Sequence, residues 1–122
     1  MKFIKDWKKY LIGPDASIKE AMEKFDSGEM LVCFVVKQDG KLLGSVTDGD
    51  VRRGLLKGRS LSDSVVTVMN KKPLTASATD PDEKLFLKSR KLLKGQIPIV
   101  DSSETLIGIK ADLDLRPNIK RD

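Results

Sequence analysis

Apolar positions in the first half of the chain change period partway along. Ile18, Ala21, Met22 and Phe25 recur at helical spacing. Ser17, with Glu20 three residues later, supplies the residue pair of a capping box, so a helix with one apolar face is predicted to open at Ser17. Glu20 and Lys24 stand in the favourable order for an i,i+4 ion pair, and Gly28 supplies the stop. The period then shortens to that of strands. Leu31 to Val36 is a run rich in β-branched residues, Gln38-Asp39-Gly40 carries turn chemistry, and Lys41 to Val46 reads as the return strand of a hairpin. A second short helix is predicted to begin after Thr47.

This order is written twice. Val35-Val36 recurs as Ile99-Val100, Leu42-Leu43-Gly44 as Leu106-Ile107-Gly108, and Asp48-x-Asp50-Val51-Arg52 as Asp112-x-Asp114-Leu115-Arg116, all at one offset and without a gap. Three blocks in register point to duplication of a supersecondary unit. In the second copy Asp80-Pro81-Asp82-Glu83 is a helix start, Leu85, Phe86, Ser89, Leu92 and Leu93 continue the stripe, and Gly95 ends it. Ile97 to Val100 and Thr105 to Ile109 then form the second hairpin, around the polar turn Asp101 to Glu104. The fold class expected is therefore mixed α/β (α+β), with two tandem β-α-β-β-α units. Each copy has roughly 50 to 60 residues and an apolar sheet face, too little for confident stability alone, so the copies are expected to pack sheet to sheet. The predicted division is 1–60, a leading helix plus the first unit, and 61–122, a linker plus the second. Phe3, Trp7, Tyr10 and Leu11 carry the leading helix and serve as packing residues.

Composition narrows the chemistry. Histidine is absent, which removes the commonest general base and metal ligand. No nucleophile with a neighbouring base and no metal-ligand cluster can be read, so the chain is not expected to be an enzyme in its own right. Cys33, the single cysteine, lies in an apolar run and reads as a small buried hydrophobe. The net charge of +5 comes from short basic clusters interrupted by acidic residues, the pattern of a solvated surface rather than a nucleic-acid patch. No run approaches the length of a membrane span, the start Met1 to Asp6 lacks the apolar stretch of a signal peptide, and a cytoplasmic location is expected.

The stretch Gly44-Ser45-Val46-Thr47-Asp48-Gly49-Asp50-Val51-Arg52-Arg53 lies where a hairpin strand enters a helix. Thr47 and Asp50 fit a second capping box, which explains them structurally. It explains neither the two arginines nor Gly49 inside a first helical turn, where a larger side chain would serve the helix better. The same atoms suit a nucleotide. A carboxylate at Asp50 can accept from both hydroxyls of a ribose, the helix start offers amides and the Thr47 hydroxyl a donor, and Arg52 or Arg53 can balance a phosphate. Asp48 belongs to the same candidate site.

A twofold β-α-β-β-α repeat with Gly-x-x-Thr-x-x-Asp after the hairpin resembles the CBS domain family in its paired form, the Bateman module. The resemblance covers about residues 10 to 116. It implies two CBS units packed through their sheets with pseudo-twofold symmetry, and a regulatory site for an adenosine nucleotide, AMP or ATP, with no cofactor required. It further implies that Asp50 holds the ribose, that Thr47 lies by the phosphate, and that the adenine enters an apolar slot at Ile12, Val32, Cys33 and Phe34. Two chains would associate as a homodimer. In the second copy Asp114 keeps the ribose carboxylate, Ala111 replaces the hydroxyl residue and Lys110 offers a phosphate partner, while Pro117 interrupts the following helix. The wording of Trp7 to Ile18 and of Thr47 to Arg53 is similar to CBS pairs ahead of sugar-phosphate nucleotidyltransferases of the mannose-1-phosphate guanylyltransferase kind. That likeness implies allosteric control of an attached catalytic domain, a domain whose glycine-rich GTP-binding loop these residues do not contain. The alternative is a ligand-free dimerisation scaffold.

Overall fold

The computed structural model describes residues 1–28, 30–92 and 96–111. Strand β1 spans Lys2–Phe3 and β2 Leu11–Ile12; helix α1 spans Ile18–Ser27, followed by β3 at Val32–Val36 and β4 at Leu42–Thr47. Helix α2 spans Asp48–Leu56, α3 Asp82–Leu92, β5 Gln96–Val100 and β6 Leu106–Ala111. This is the mixed α+β architecture the repeat predicts. The chain divides into two compact units, Lys9–Pro73 and a second made of Met1–Lys8 with Leu74–Asp122.

Within the first of these, α1 opens on the expected capping box: the Glu20 amide donates to Ser17 Oγ at 3.1 Å and the Ser17 amide to Glu20 Oε1 at 2.9 Å. Glu20 is thereby turned back on the helix start. Lys24 reaches the Lys9 carbonyl instead, at 3.3 Å, so the expected Glu20–Lys24 pair is replaced by two contacts with the backbone. Gly28 caps the helix in an extended conformation, and its role is spatial, because a Cβ there would lie 2.8 Å from the Tyr10 ring. Ile18, Ala21 and Phe25 pack with Cys33, Val35, Val46, Val51 and Val65 as one buried cluster. In the other unit Ala76, Leu85, Ile97 and Ile99 do the same.

The duplication is visible in the ladders. Strands β3 and β4 pair antiparallel with a register shift between Val35 and Val36, and β5 and β6 pair antiparallel with a shift between Ile99 and Val100, the equivalent position of the repeat. Ile12 runs parallel to Val35, as Ala76 does to Ile99. A third chain segment flanks each hairpin: Asn70 bridges Ser45 beside β4, and Lys2–Phe3 pairs antiparallel with β6. The leading helix is accordingly not formed. Residues 2–3 are strand, and Trp7–Tyr10 is a single 3-10 turn. An isolated helix of this length is marginal, whereas the sheet edge offers ladder bonds such as Ile4 N–H to the Ile109 carbonyl at 2.8 Å. Gly44 and Gly108 make these edges possible. A Cβ at Gly44 would lie 2.6 Å from the Asn70 carbonyl oxygen, and one at Gly108 2.7 Å from the Phe3 ring.

Candidate functional site

Strand β4 delivers Thr47 to the start of α2, and the capping box predicted there is complete. The Asp50 amide donates to Thr47 Oγ1 at 3.1 Å, and the Thr47 amide donates to Asp50 Oδ2 at 2.9 Å. Asp50 Oδ1 accepts from Arg53 Nη2 at 2.9 Å, with the Asp50 side chain 18% exposed. Arg52 pairs with Asp48 one turn back, so the two arginines serve different carboxylates. The Arg53 guanidinium lies close to Gly49, where a Cβ would stand 3.2 Å from Nη1. The start of α2 offers less to a phosphate than the sequence suggested. The Asp48 amide is given to the Leu31 carbonyl at 3.2 Å and the Asp50 amide to Thr47. Asp50 and Arg53 instead line a cavity of about 280 Å³ with Gly54, Lys57, Arg59, Thr67 and Val68.

This arrangement sits in a stretch that matches a known family, since residues 7–57 fit the family model of the CBS domain. The chain contains a CBS domain. An uncharacterized protein of Helicobacter pylori (strain J99) is 30% identical over 103 residues, which cover 81% of this chain and 30% of that protein, so the chain spans less than a third of its length. Among solved structures, the CBS domain protein of Pyrobaculum aerophilum complexed with AMP superposes with a TM-score of 0.73 at 19% identity, covering 89% of this chain and 84% of that one. A CBS domain pair in complex with 5-methylthioadenosine and S-adenosyl-L-methionine gives 0.72 at 24% identity, covering 93% and 95%. Over these shares of the chain the fold matches that of CBS domain pairs.

Within the CBS domain, Thr47, Asp48, Asp50, Arg52 and Arg53 are brought together on the first turns of α2. The four slot residues lie elsewhere, on β2 and β3, and none lines the cavity at Asp50. Ile12, Val32, Cys33 and Phe34 are all buried, but strand alternation divides them. Cys33 faces the helices, where its thiol contacts the Ala21 carbonyl at 3.9 Å within the core cluster, while Val32 and Phe34 take the opposite face. Burial pushes the Cys33 thiol up to about 12, which suits a packing residue. In the second unit the Lys110 ammonium stands 4.7 Å from the centre of the Phe3 ring. Asp114 and Pro117 lie outside the described residues.

Two features escaped the sequence reading. Lys57 and Arg59 line the cavity at Asp50, and the signal for them was Gly58, whose positive φ of 99° makes the turn that brings Arg59 back. Gln96 opens β5 at the position that repeats Val32; it is 5% exposed, and its carboxamide oxygen has no hydrogen-bond partner among the described residues. A glutamine facing Ala111 where the first copy has Val32 facing Thr47 was readable from the repeat alone. No helix among the described residues is long and apolar enough to cross a membrane, and no group of metal-ligating side chains gathers there.

Proposed function

We propose that the chain is a regulatory module that binds an adenosine nucleotide, AMP or ATP, and biases an attached enzyme without chemistry of its own. The observation that carries this reading is the Asp50 carboxylate, oriented by the Thr47 amide at the third position of α2 and reaching a cavity. A carboxylate has about four lone-pair sites, and two are used here, so a ribose cis-diol can donate to those remaining. The CBS domain match supports the reading, as do the ligands of the two structural neighbours, AMP in one and 5-methylthioadenosine with S-adenosyl-L-methionine in the other. In this proposal Val32 and Phe34, with Ile12 and Cys33 behind them, supply the apolar surface for the base, and Lys110 and Asp114 belong to a second site. Regulation then requires that the ligand favour one arrangement of the protein over another, by its differential affinity for the two.

The proposal extends to a homodimer in the cytoplasm and to a sugar-phosphate nucleotidyltransferase as the attached enzyme. That last link rests on the wording of Trp7 to Ile18 and Thr47 to Arg53, and the reading frame downstream of Asp122 tests it. Isothermal calorimetry with AMP, ATP and 5-methylthioadenosine tests the ligand. Saturable binding to the wild type that weakens in Asp50→Ala is the expected result, and indifference to all three compounds overturns it. One observation favours a second reading, a dimerisation scaffold without ligand: both Asp50 oxygens already hold protein donors. Under that reading no adenosine compound raises the melting temperature.

A further inference from the structure

We propose that the cavity beside the last turn of α2 is a phosphate-binding pocket built from Arg53, Lys57 and Arg59. Arg53 and Lys57 stand one turn apart on the same face of the helix, and the helix end brings Arg59 to them. Gly58, at φ 99°, donates its amide to the Leu55 carbonyl at 3.1 Å, and the Arg59 amide donates to the Gly54 carbonyl at 3.0 Å. This is the pair of bonds of a Schellman turn, and it folds the chain back over α2. Gly54 lets the fold-back come close: a Cβ there would lie 2.3 Å from Val68 Cγ1 and 3.7 Å from Arg59 Cγ. A buried glycine inside a helix costs about 1 kcal/mol relative to alanine, and here it makes one wall of the cavity.

Charge decides what the cavity receives. Among the described residues three cations line it against one carboxylate, that of Asp50, which is held by Arg53. Neither Lys57 nor Arg59 has an ion-pair partner among the described residues. Cations near a helix C-terminus complement its partial charge, but that charge is only about half of one elementary charge. The Arg53, Gly54 and Leu55 carbonyls are also already occupied by the amides of Lys57, Gly58 and Arg59. Roughly two positive charges are thus left facing one concave space, the electrostatic complement of a phosphate dianion. The Thr67 hydroxyl is spent on the Ser64 carbonyl at 2.7 Å, so recognition falls to the cations. At about 280 Å³ the space exceeds a single phosphoryl group. Free phosphate, a small phosphate monoester or the phosphate of a bound nucleotide shares the chemistry, and the last of these rests on the reading given above.

The test uses the whole chain and the double variant Lys57→Gln, Arg59→Gln, whose side chains are exposed. Inorganic phosphate titrated at constant ionic strength is expected to bind the wild type saturably by calorimetry and to raise its melting temperature. The double variant is expected to lose at least tenfold in affinity while keeping its melting temperature without phosphate. Equal binding by both proteins, or none by the wild type, overturns the proposal. Adenosine, which carries no phosphate, is measured alongside: its binding depends on Asp50 and not on Lys57 or Arg59, so either site can fail without the other. Competition between AMP and phosphate assigns the phosphate source to the nucleotide, and independent binding assigns it to a separate metabolite.

Discussion

Asp50 holds two jobs in this reading, and two substitutions separate them. Asp50→Ala removes the bond from the Thr47 amide and the pair with Arg53, while Thr47 Oγ1 can still accept from the residue 50 amide. The lost hydrogen bond is worth about 1 kcal/mol and an exposed pair roughly 0.2 to 1 kcal/mol, giving a destabilisation of about 1 to 2 kcal/mol. For a domain of this size the melting temperature should fall by several degrees, at a few degrees for each kcal/mol. Asp50→Asn keeps an oxygen that can accept from Thr47 and loses the ion pair and the charge at the helix start, about 1 kcal/mol or less. Ligand affinity ranks the variants differently. A charged hydrogen bond to a ribose is worth about 1.5 to 3 kcal/mol, so alanine should weaken AMP by roughly ten- to a hundredfold. Asparagine should restore most of the stability and little of the affinity, because its amide group cannot accept from a second hydroxyl. Differential scanning fluorimetry and calorimetry on the three proteins give both orders. AMP binding by Asp50→Asn within twofold of the wild type would show that Asp50 is a helix cap alone.

Three further outcomes follow from the packing. Gly44→Ala should destabilise by about 1 to 3 kcal/mol because its Cβ meets the Asn70 carbonyl, whereas Gly108→Ala should cost less because the half-exposed Phe3 ring can swing aside; urea melts rank the two. Glu104 occupies the position of Gly40 in the repeat with φ 68°, so Glu104→Gly should raise stability by up to about 1 kcal/mol, and a fall in melting temperature would contradict the strain argument. Cys33 should resist a disulfide reagent at neutral pH until the protein unfolds, and rapid labelling of the native state would refute its burial. Because its folded value, about 12, lies above the unfolded 9, its contribution to stability is complete below pH 9 and is lost as the pH rises toward 12.

How far the sequence foretold this molecule depended on whether a feature is local. Both capping boxes, both hairpins and the repeat were legible, because a cap needs residues three apart and a hairpin needs two short runs and a turn. The leader strand was not. Phe3, Trp7 and Tyr10 have helical spacing, and what outweighs it is an unpaired edge at β6, more than one hundred residues away, open because Gly108 carries no side chain. Contacts of the same long range hold residues 64–70 in the compact unit Lys9–Pro73: Ser64 Oγ donates to the Pro14 carbonyl at 2.9 Å, and the Asn70 amide to the Ser45 carbonyl at 2.8 Å. At the site, motif residues were found and their neighbours missed, for the same reason. Thr47 and Asp50 are named by a spacing, whereas Lys57 and Arg59 become site residues only when Gly58 turns the chain and Gly54 admits Val68. Duplication makes this a comparison with a built-in control. The first copy has Gly40, Thr47 and Val32 where the second has Glu104, Ala111 and Gln96, so the second copy carries a strained turn, a strand end without a capping hydroxyl and a buried carboxamide oxygen without a partner among the described residues. Each departure is unfavourable for folding alone. That pattern is the one expected where a sequence answers to something besides its own stability, and it makes the second unit the place to look for what sets this chain apart.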